Sequence, residues 1–156
     1  MPRYLKFVVS IALPLIIGFI GGIATSSSVS TWYKGLVKPS FTPPNWLFGP
    51  AWTLLYILMG IAFYIVWMKN FGGKASLIIT IFSLQLLANL LWSILFFGLK
   101  NPLLGLVDIV VLWILILINI VYFFRVSNAA GILLIPYILW VTFATALNAG
   151  VYILNK

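Results

Sequence analysis

The sequence predicts an all-α integral membrane protein, a five-transmembrane-helix bundle with a long ordered loop between helices one and two. Three observations predict it. Hydrophobic residues make up 64% of the 156 and charged residues only 6%, more apolar surface than a water-soluble domain of 17.4 kDa could hide. Five apolar runs reach the roughly 20 residues that a helix needs to cross a hydrocarbon core. Between the first two lies Trp32–Trp52, WYKGLVKPSFTPPNWLFGPAW, which holds six aromatic residues and four of the eight prolines. Proline fixes φ and removes a backbone donor, so this stretch is not one helix. Its rings need an apolar surface to bury against, so it is not a flexible linker either.

The first span covers residues 7–25. Arg3 and Lys6 ahead of it imitate a secretory signal, but the apolar run is longer than the ~7–15 residues of a signal peptide and reads as a retained span. Pro14 is expected to kink it, and the Gly18/Gly22 pair to allow close helix contact inside the bundle. The lid loop runs over 26–50 and the second span over 51–68. A glycine-containing turn, Lys69–Lys74, leads to the third span, 75–99. Lys100-Asn101 leads to the fourth, 102–124, with Asn101 placed as its cap and Pro102 at the first helical position. Arg125–Asn128 precedes the fifth span, 130–154. Such short links favour antiparallel neighbours and one membrane domain over residues 1–156, and an odd number of spans argues against two equal transporter repeats.

Nine Lys/Arg against one acid give a net charge of +8. The cations stand singly between apolar runs, a pattern suited to the anionic headgroups of a lipid bilayer and not to nucleic acid. They divide almost evenly between the two ends of the bundle, which assigns no orientation. With no cysteine and no histidine, thiolate sites, disulfides, the usual general base and the strong axial haem ligands are all excluded. No metal and no cofactor is required.

Chemistry must therefore come from polar and aromatic side chains that share helix faces. In the third span Gln85, Asn89, Trp92, Ser93 and Phe96 form one stripe. Trp140, Phe143, Ala144, Leu147 and Asn148 do the same in the fifth, and Trp52, Tyr56, Met59 and Phe63 in the second. Such polar stripes also serve as interhelical glue worth about 0.6 kcal/mol per contact. Indoles and amides meeting near the loop-covered end point instead to a pocket for a flat, apolar ligand. Asp108, the single acid, lies inside the fourth span and is either a functional carboxylate or an acceptor for a neighbouring helix.

Trp32-Tyr33, Lys38-Pro39, Pro43-Pro44, Trp46, Phe48, Pro50, Trp52 and Tyr56 resemble the loop and second-helix signature of the TspO/MBR family, the translocator proteins or peripheral-type benzodiazepine receptors. NLLWSILFFG from Asn89 to Gly98, then Asp108, Pro136-Tyr137, Trp140, Phe143-Ala144-Thr145 and Leu147-Asn148 continue the resemblance in order and spacing. It implies a five-helix bundle, usually a homodimer, with a cavity roofed by the first loop that takes porphyrins such as protoporphyrin IX, sterols and synthetic benzodiazepine-receptor ligands. The implied pocket comprises Tyr33, Pro43, Trp52, Tyr56, Asn89, Trp92, Ser93, Trp140, Phe143, Ala144 and Leu147, with Asp108 beside it. Leu147, Tyr152 and Lys156 also satisfy the loose sterol pattern, which a terminal snorkelling lysine and an interfacial tyrosine explain equally.

The expected mode of binding stacks a porphyrin on Trp52 and Trp140, with Asn89 and Asn148 at its polar edge and its propionates near Lys34 or Lys38. Ligand sensing or trafficking is the first expectation. Light- and oxygen-dependent porphyrin breakdown at Trp52 and Trp140 is the second, and sterol or solute transport using Asp108 the third. A prokaryotic cell envelope membrane is expected rather than a mitochondrial outer membrane.

Overall fold

The computed structural model describes residues 1–156 and contains five helical spans long and apolar enough to cross a membrane, with no strand. α1 runs from Arg3 to Val29, longer at both ends than the predicted 7–25. Its C-terminal extension is explained by Ser26 and Ser27, whose hydroxyls donate back to the carbonyls of Ile23 and Ala24 instead of competing for the loop backbone. Pro14 is buried inside α1 and does not end it. The lid is thereby reduced to residues 30–44, followed by a 3₁₀ turn at Asn45–Leu47.

α2 spans Phe48–Met68 and carries Pro50 in its first turn, where the missing N–H has no helical acceptor to lose. The following turn places Asn70, Phe71, Gly72 and Gly73 at positive φ. Phe71 is an uncomfortable residue for that region, and its ring is held down 5.6 Å from Phe63 and 6.2 Å from Trp67. α3, Ala75–Ser93, continues into a π-helical segment at Ile94–Gly98 where a plain helix was expected. The Ser28 hydroxyl donates to the Phe97 carbonyl at 2.6 Å, so α1 supplies a donor inside that widened turn.

α4, Pro102–Val126, begins as predicted: Asn101 Oδ1 accepts from the Leu104 N–H at 3.1 Å and Pro102 opens the helix. The fifth span is divided. α5 covers Asn128–Leu133 and α6 covers Ile135–Leu154, because Pro136 has no N–H to bond the carbonyl four residues earlier and its ring crowds that carbonyl.

α1 packs on α2 and α3, α3 on α4, α4 on α6, and α5 on α2 and α4, which closes a ring. The short turn after α2 does not make α2 and α3 close backbone neighbours. Large side chains fill the space between them, with Phe63 and Phe82 stacked at 4.3 Å and the Gln85 amide on Met59 Sδ at 3.2 Å. Backbones touch where α1 crosses α2: a Cβ on Gly60 would stand 2.7 Å from the Ser10 carbonyl, so glycine sets that approach. α1 is the least enclosed of the spans.

Candidate functional site

A cavity of about 590 Å³ lies at the lid end of the bundle, within the roughly 300–1,000 Å³ usual for small-molecule sites. One wall is aromatic. Trp52 stacks on Tyr56 at 5.8 Å and faces Trp92 at 6.1 Å, and Trp92 stacks on Phe96 at 5.5 Å. Another wall is α1, which contributes Gly18 and Gly22 with Thr25, Ser26 and Val29. Gly18 makes room for the Tyr56 ring, whereas Gly22 has open space where a side chain would stand. The predicted glycine pair thus serves two purposes: one glycine admits a neighbouring ring, the other widens the cavity. Ala144, Leu147, Asn148 and Val151 of α6 complete the lining.

A chain of hydrogen bonds fixes the aromatic wall. Tyr56 donates to Asn89 Oδ1 at 2.7 Å, Asn89 Nδ2 donates to the Tyr137 oxygen at 2.8 Å, and Tyr137 donates to Gln85 Oε1 at 2.8 Å. Nearer the lid, Trp92 Nε1 donates to Asn148 Oδ1 at 2.9 Å while Asn148 Nδ2 holds the Pro102 carbonyl at 2.8 Å. Each amide keeps one N–H and one lone pair beyond these bonds. The polar stripes are therefore both glue and lining. Thr25 and Thr53 add hydroxyl oxygens that donate back to Gly21 and Gly49, leaving their lone pairs to the cavity.

The lid is tied down at four places. Tyr33 is buried 5.5 Å from Phe97, and burial holds its phenol above the usual tyrosine range, so it stays neutral. Trp32 packs edge-on to Phe96 at 5.5 Å. Pro39 lies so close to Gly150 that any larger residue would overlap its ring. Asn155 brackets Val37, accepting its N–H at 2.9 Å and donating to its carbonyl at 2.7 Å.

Of the predicted pocket residues, the structure brings Tyr33, Trp52, Tyr56, Asn89, Trp92, Ser93, Ala144, Leu147 and Asn148 together around the cavity. Four do not border it. Trp140 lies behind Trp52, ring centres 6.4 Å apart, and Phe143 packs on Trp140 at 5.7 Å and on Phe41 of the lid at 6.1 Å. Pro43 and Asp108 are also absent from the lining, and Asp108 Oδ2 is buried without a hydrogen-bond partner. The stripe from Trp140 to Asn148 lies wholly within the unbroken α6, so its helical spacing holds; the difference is in the neighbours that its face meets. Its lower half turns toward the lid and α2 instead. Of the sterol pattern only Leu147 reaches the cavity, and Tyr152 and Lys156 do not line it. Lys38 is spent on the lid, its Nζ 3.3 Å from the Leu36 carbonyl and 4.7 Å from the Tyr33 ring centre.

Sequence reasoning missed the α1 wall. Its signal was present in the Thr25–Ser28 hydroxyl run that follows Gly22, which no lipid-facing helix needs.

The sequence has relatives among known proteins. The model of the TspO/MBR family matches residues 10–154. The tryptophan-rich protein TspO of Archaeoglobus fulgidus is 56% identical, covering 97% of each chain. That of Chlorobaculum tepidum is 46% identical over 98% of each, and the human translocator protein is 37% identical over 86% of this chain and 80% of its own.

Proposed function

This chain belongs to the TspO/MBR family, and from that premise we propose that it is a membrane receptor binding porphyrins of the protoporphyrin IX kind, or related flat apolar ligands, for tetrapyrrole sensing, trafficking or regulation. It is a multi-pass integral membrane protein, and relatives from an archaeon and a bacterium stand at higher identity than the human one, as expected of a prokaryotic member. The observation that carries the proposal is the inequality of the two cavity walls. Trp52, Tyr56, Trp92 and Phe96 offer faces for stacking, and Gly22 in the α1 wall adds no bulk of its own, which suits a planar guest better than a globular one. Free donor and acceptor capacity on Asn89 and Asn148 would meet a ligand's polar edge. The homodimer implied by the family resemblance belongs to the same proposal.

Titration of the purified protein with protoporphyrin IX, followed by porphyrin fluorescence, tests this. Saturable quenching is expected, lost in Trp52→Leu and kept in Trp113→Phe, whose indole bonds Thr142 away from the cavity. Quenching that survives Trp52→Leu, or that Trp113→Phe abolishes equally, overturns it.

One observation favours a second reading, light- and oxygen-dependent porphyrin breakdown. Trp92, Trp52 and Trp140 form a relay with ring centres 6.1 and 6.4 Å apart, leading from the cavity wall to the ring behind it. Bleaching of the porphyrin absorption under light faster than in a protein-free control, and slowed by Trp140→Phe, would put this activity first.

A further inference from the structure

The end of the bundle opposite the cavity gathers Arg3, Lys6, Lys69, Lys74 and Arg125, and no acid; Asp108, the chain's single carboxylate side chain, belongs to the N-terminal part of α4, toward the lid. These cations have no ion-pair partner within the chain. Two of them converge on one ring: Lys74 Nζ lies 5.9 Å and the Arg125 guanidinium carbon 5.5 Å from the centre of Tyr122. Their backbones come from different segments, Lys74 from the residue before α3 and Arg125 from the last turn of α4. Arg125 is well placed for the dipole of its own helix, but Lys74 is not, because a cation at the start of a helix meets the positive end of its dipole. Helix stability does not account for Lys74 there. Lys74 and Arg125 are both exposed beside a half-buried phenol ring and neither meets a carboxylate, so both charges are free to take an anion.

We propose that Lys74, Arg125 and Tyr122 form a binding site for the headgroup of an anionic phospholipid, separate from the cavity and independent of what the cavity binds. The guanidinium offers paired donors for a phosphate and the ammonium a point charge, while the ring holds both head groups beside it. The face of α4 below the ring is apolar: Ile118 and Ile114 stand one and two turns before Tyr122 on the same side, and Ile114 is 48% exposed. Acyl chains would lie along that face. A lipid is thus favoured over a soluble phosphate, which would use the cations and leave the isoleucines idle.

The test is lipid retention by the full chain, purified in neutral detergent, exchanged into phosphatidylglycerol or phosphatidylcholine nanodiscs and read by native mass spectrometry and thermal unfolding. The expected result is retained phosphatidylglycerol and an upward Tm shift that phosphatidylcholine does not give. The double variant Lys74→Gln/Arg125→Gln should weaken retention about thirtyfold, the effect of two basic contacts near a lipid surface. Lys100→Gln/Lys156→Gln removes the same charge from the lid end and should leave retention unchanged. Equal loss in both doubles means diffuse attraction and overturns the site, as does unchanged retention in the first. An equal Tm shift with inorganic phosphate alone would overturn the assignment to lipid. If the first double does not yield a helical protein, Tyr122→Leu, which keeps both charges and removes their platform, should lower retention; full retention by that variant would refute the site.

Discussion

Gly22→Leu separates a cavity that holds a ligand from one that is merely a gap in packing. A Cβ at Gly22 meets nothing within 4 Å, so the new side chain starts out into open space. Replacing glycine inside a helix by a good helix former should stabilise α1 by about 0.8–1 kcal/mol. The same leucine stands against the slot faced by Trp52 and Trp92, and a guest seated there must shift or compress. Overpacking of that kind costs about 1–3 kcal/mol, which at about 1.4 kcal/mol per decade weakens binding roughly 5- to 150-fold. The assay pairs thermal unfolding in detergent with porphyrin fluorescence titration on the same preparation. Unfolding should move to equal or higher temperature while affinity falls. Unchanged affinity in a stably folded Gly22→Leu protein would refute the claim that a flat ligand lies between α1 and the indoles, and a fall in Tm would refute the claim that the space beside Gly22 is open.

Asn89→Leu should destabilise the bundle, because it strands the buried hydroxyl of Tyr56 and takes from the Tyr137 oxygen the N–H it accepts, while Tyr137 still donates to Gln85, at about 1–3 kcal/mol for the stranded donor; denaturation in mixed micelles measures it, and restoration by Asn89→Gln is not expected, since the longer amide cannot keep both distances. Gly60→Val should force α1 from α2 at the Ser10 carbonyl and cost about 1–3 kcal/mol, visible as a lower Tm and as faster proteolysis in α1. Asp108→Asn should alter porphyrin affinity by no more than about twofold, since Asp108 does not border the cavity; loss of porphyrin uptake into liposomes with binding intact would instead favour transport through Asp108.

What could be read beforehand divides along physical lines. The five spans were visible because lipid imposes length and hydropathy on every crossing, and the cap at Asn101 and Pro102 because its chemistry is local. Helical spacing also selected the Trp52/Tyr56 and Asn89/Trp92/Ser93 faces. The stripe from Trp140 failed at its lower end because periodicity reports which residues share a face and not which neighbour that face meets; Phe143 shares its stripe with Leu147 yet packs on Phe41 of the lid. The widened turn at Ile94–Gly98 takes a hydrogen bond from the hydroxyl of Ser28, 69 residues away in sequence, and no local pattern carries that contact. The α1 wall escaped notice for a related reason: glycine has no side chain to form a stripe, and its contribution is an absence of atoms.

The bracket between Asn155 and Val37 makes the last turn of α6 and the centre of the lid a single mechanical unit. Because Asn155 also donates to the Val151 carbonyl, and Val151 lines the cavity, fraying there would be felt at the roof and at the wall together. Amide exchange of the closing residues of α6 should therefore keep time with admission and escape of the guest, and a probe attached at Lys156 would register occupancy without touching the chamber itself.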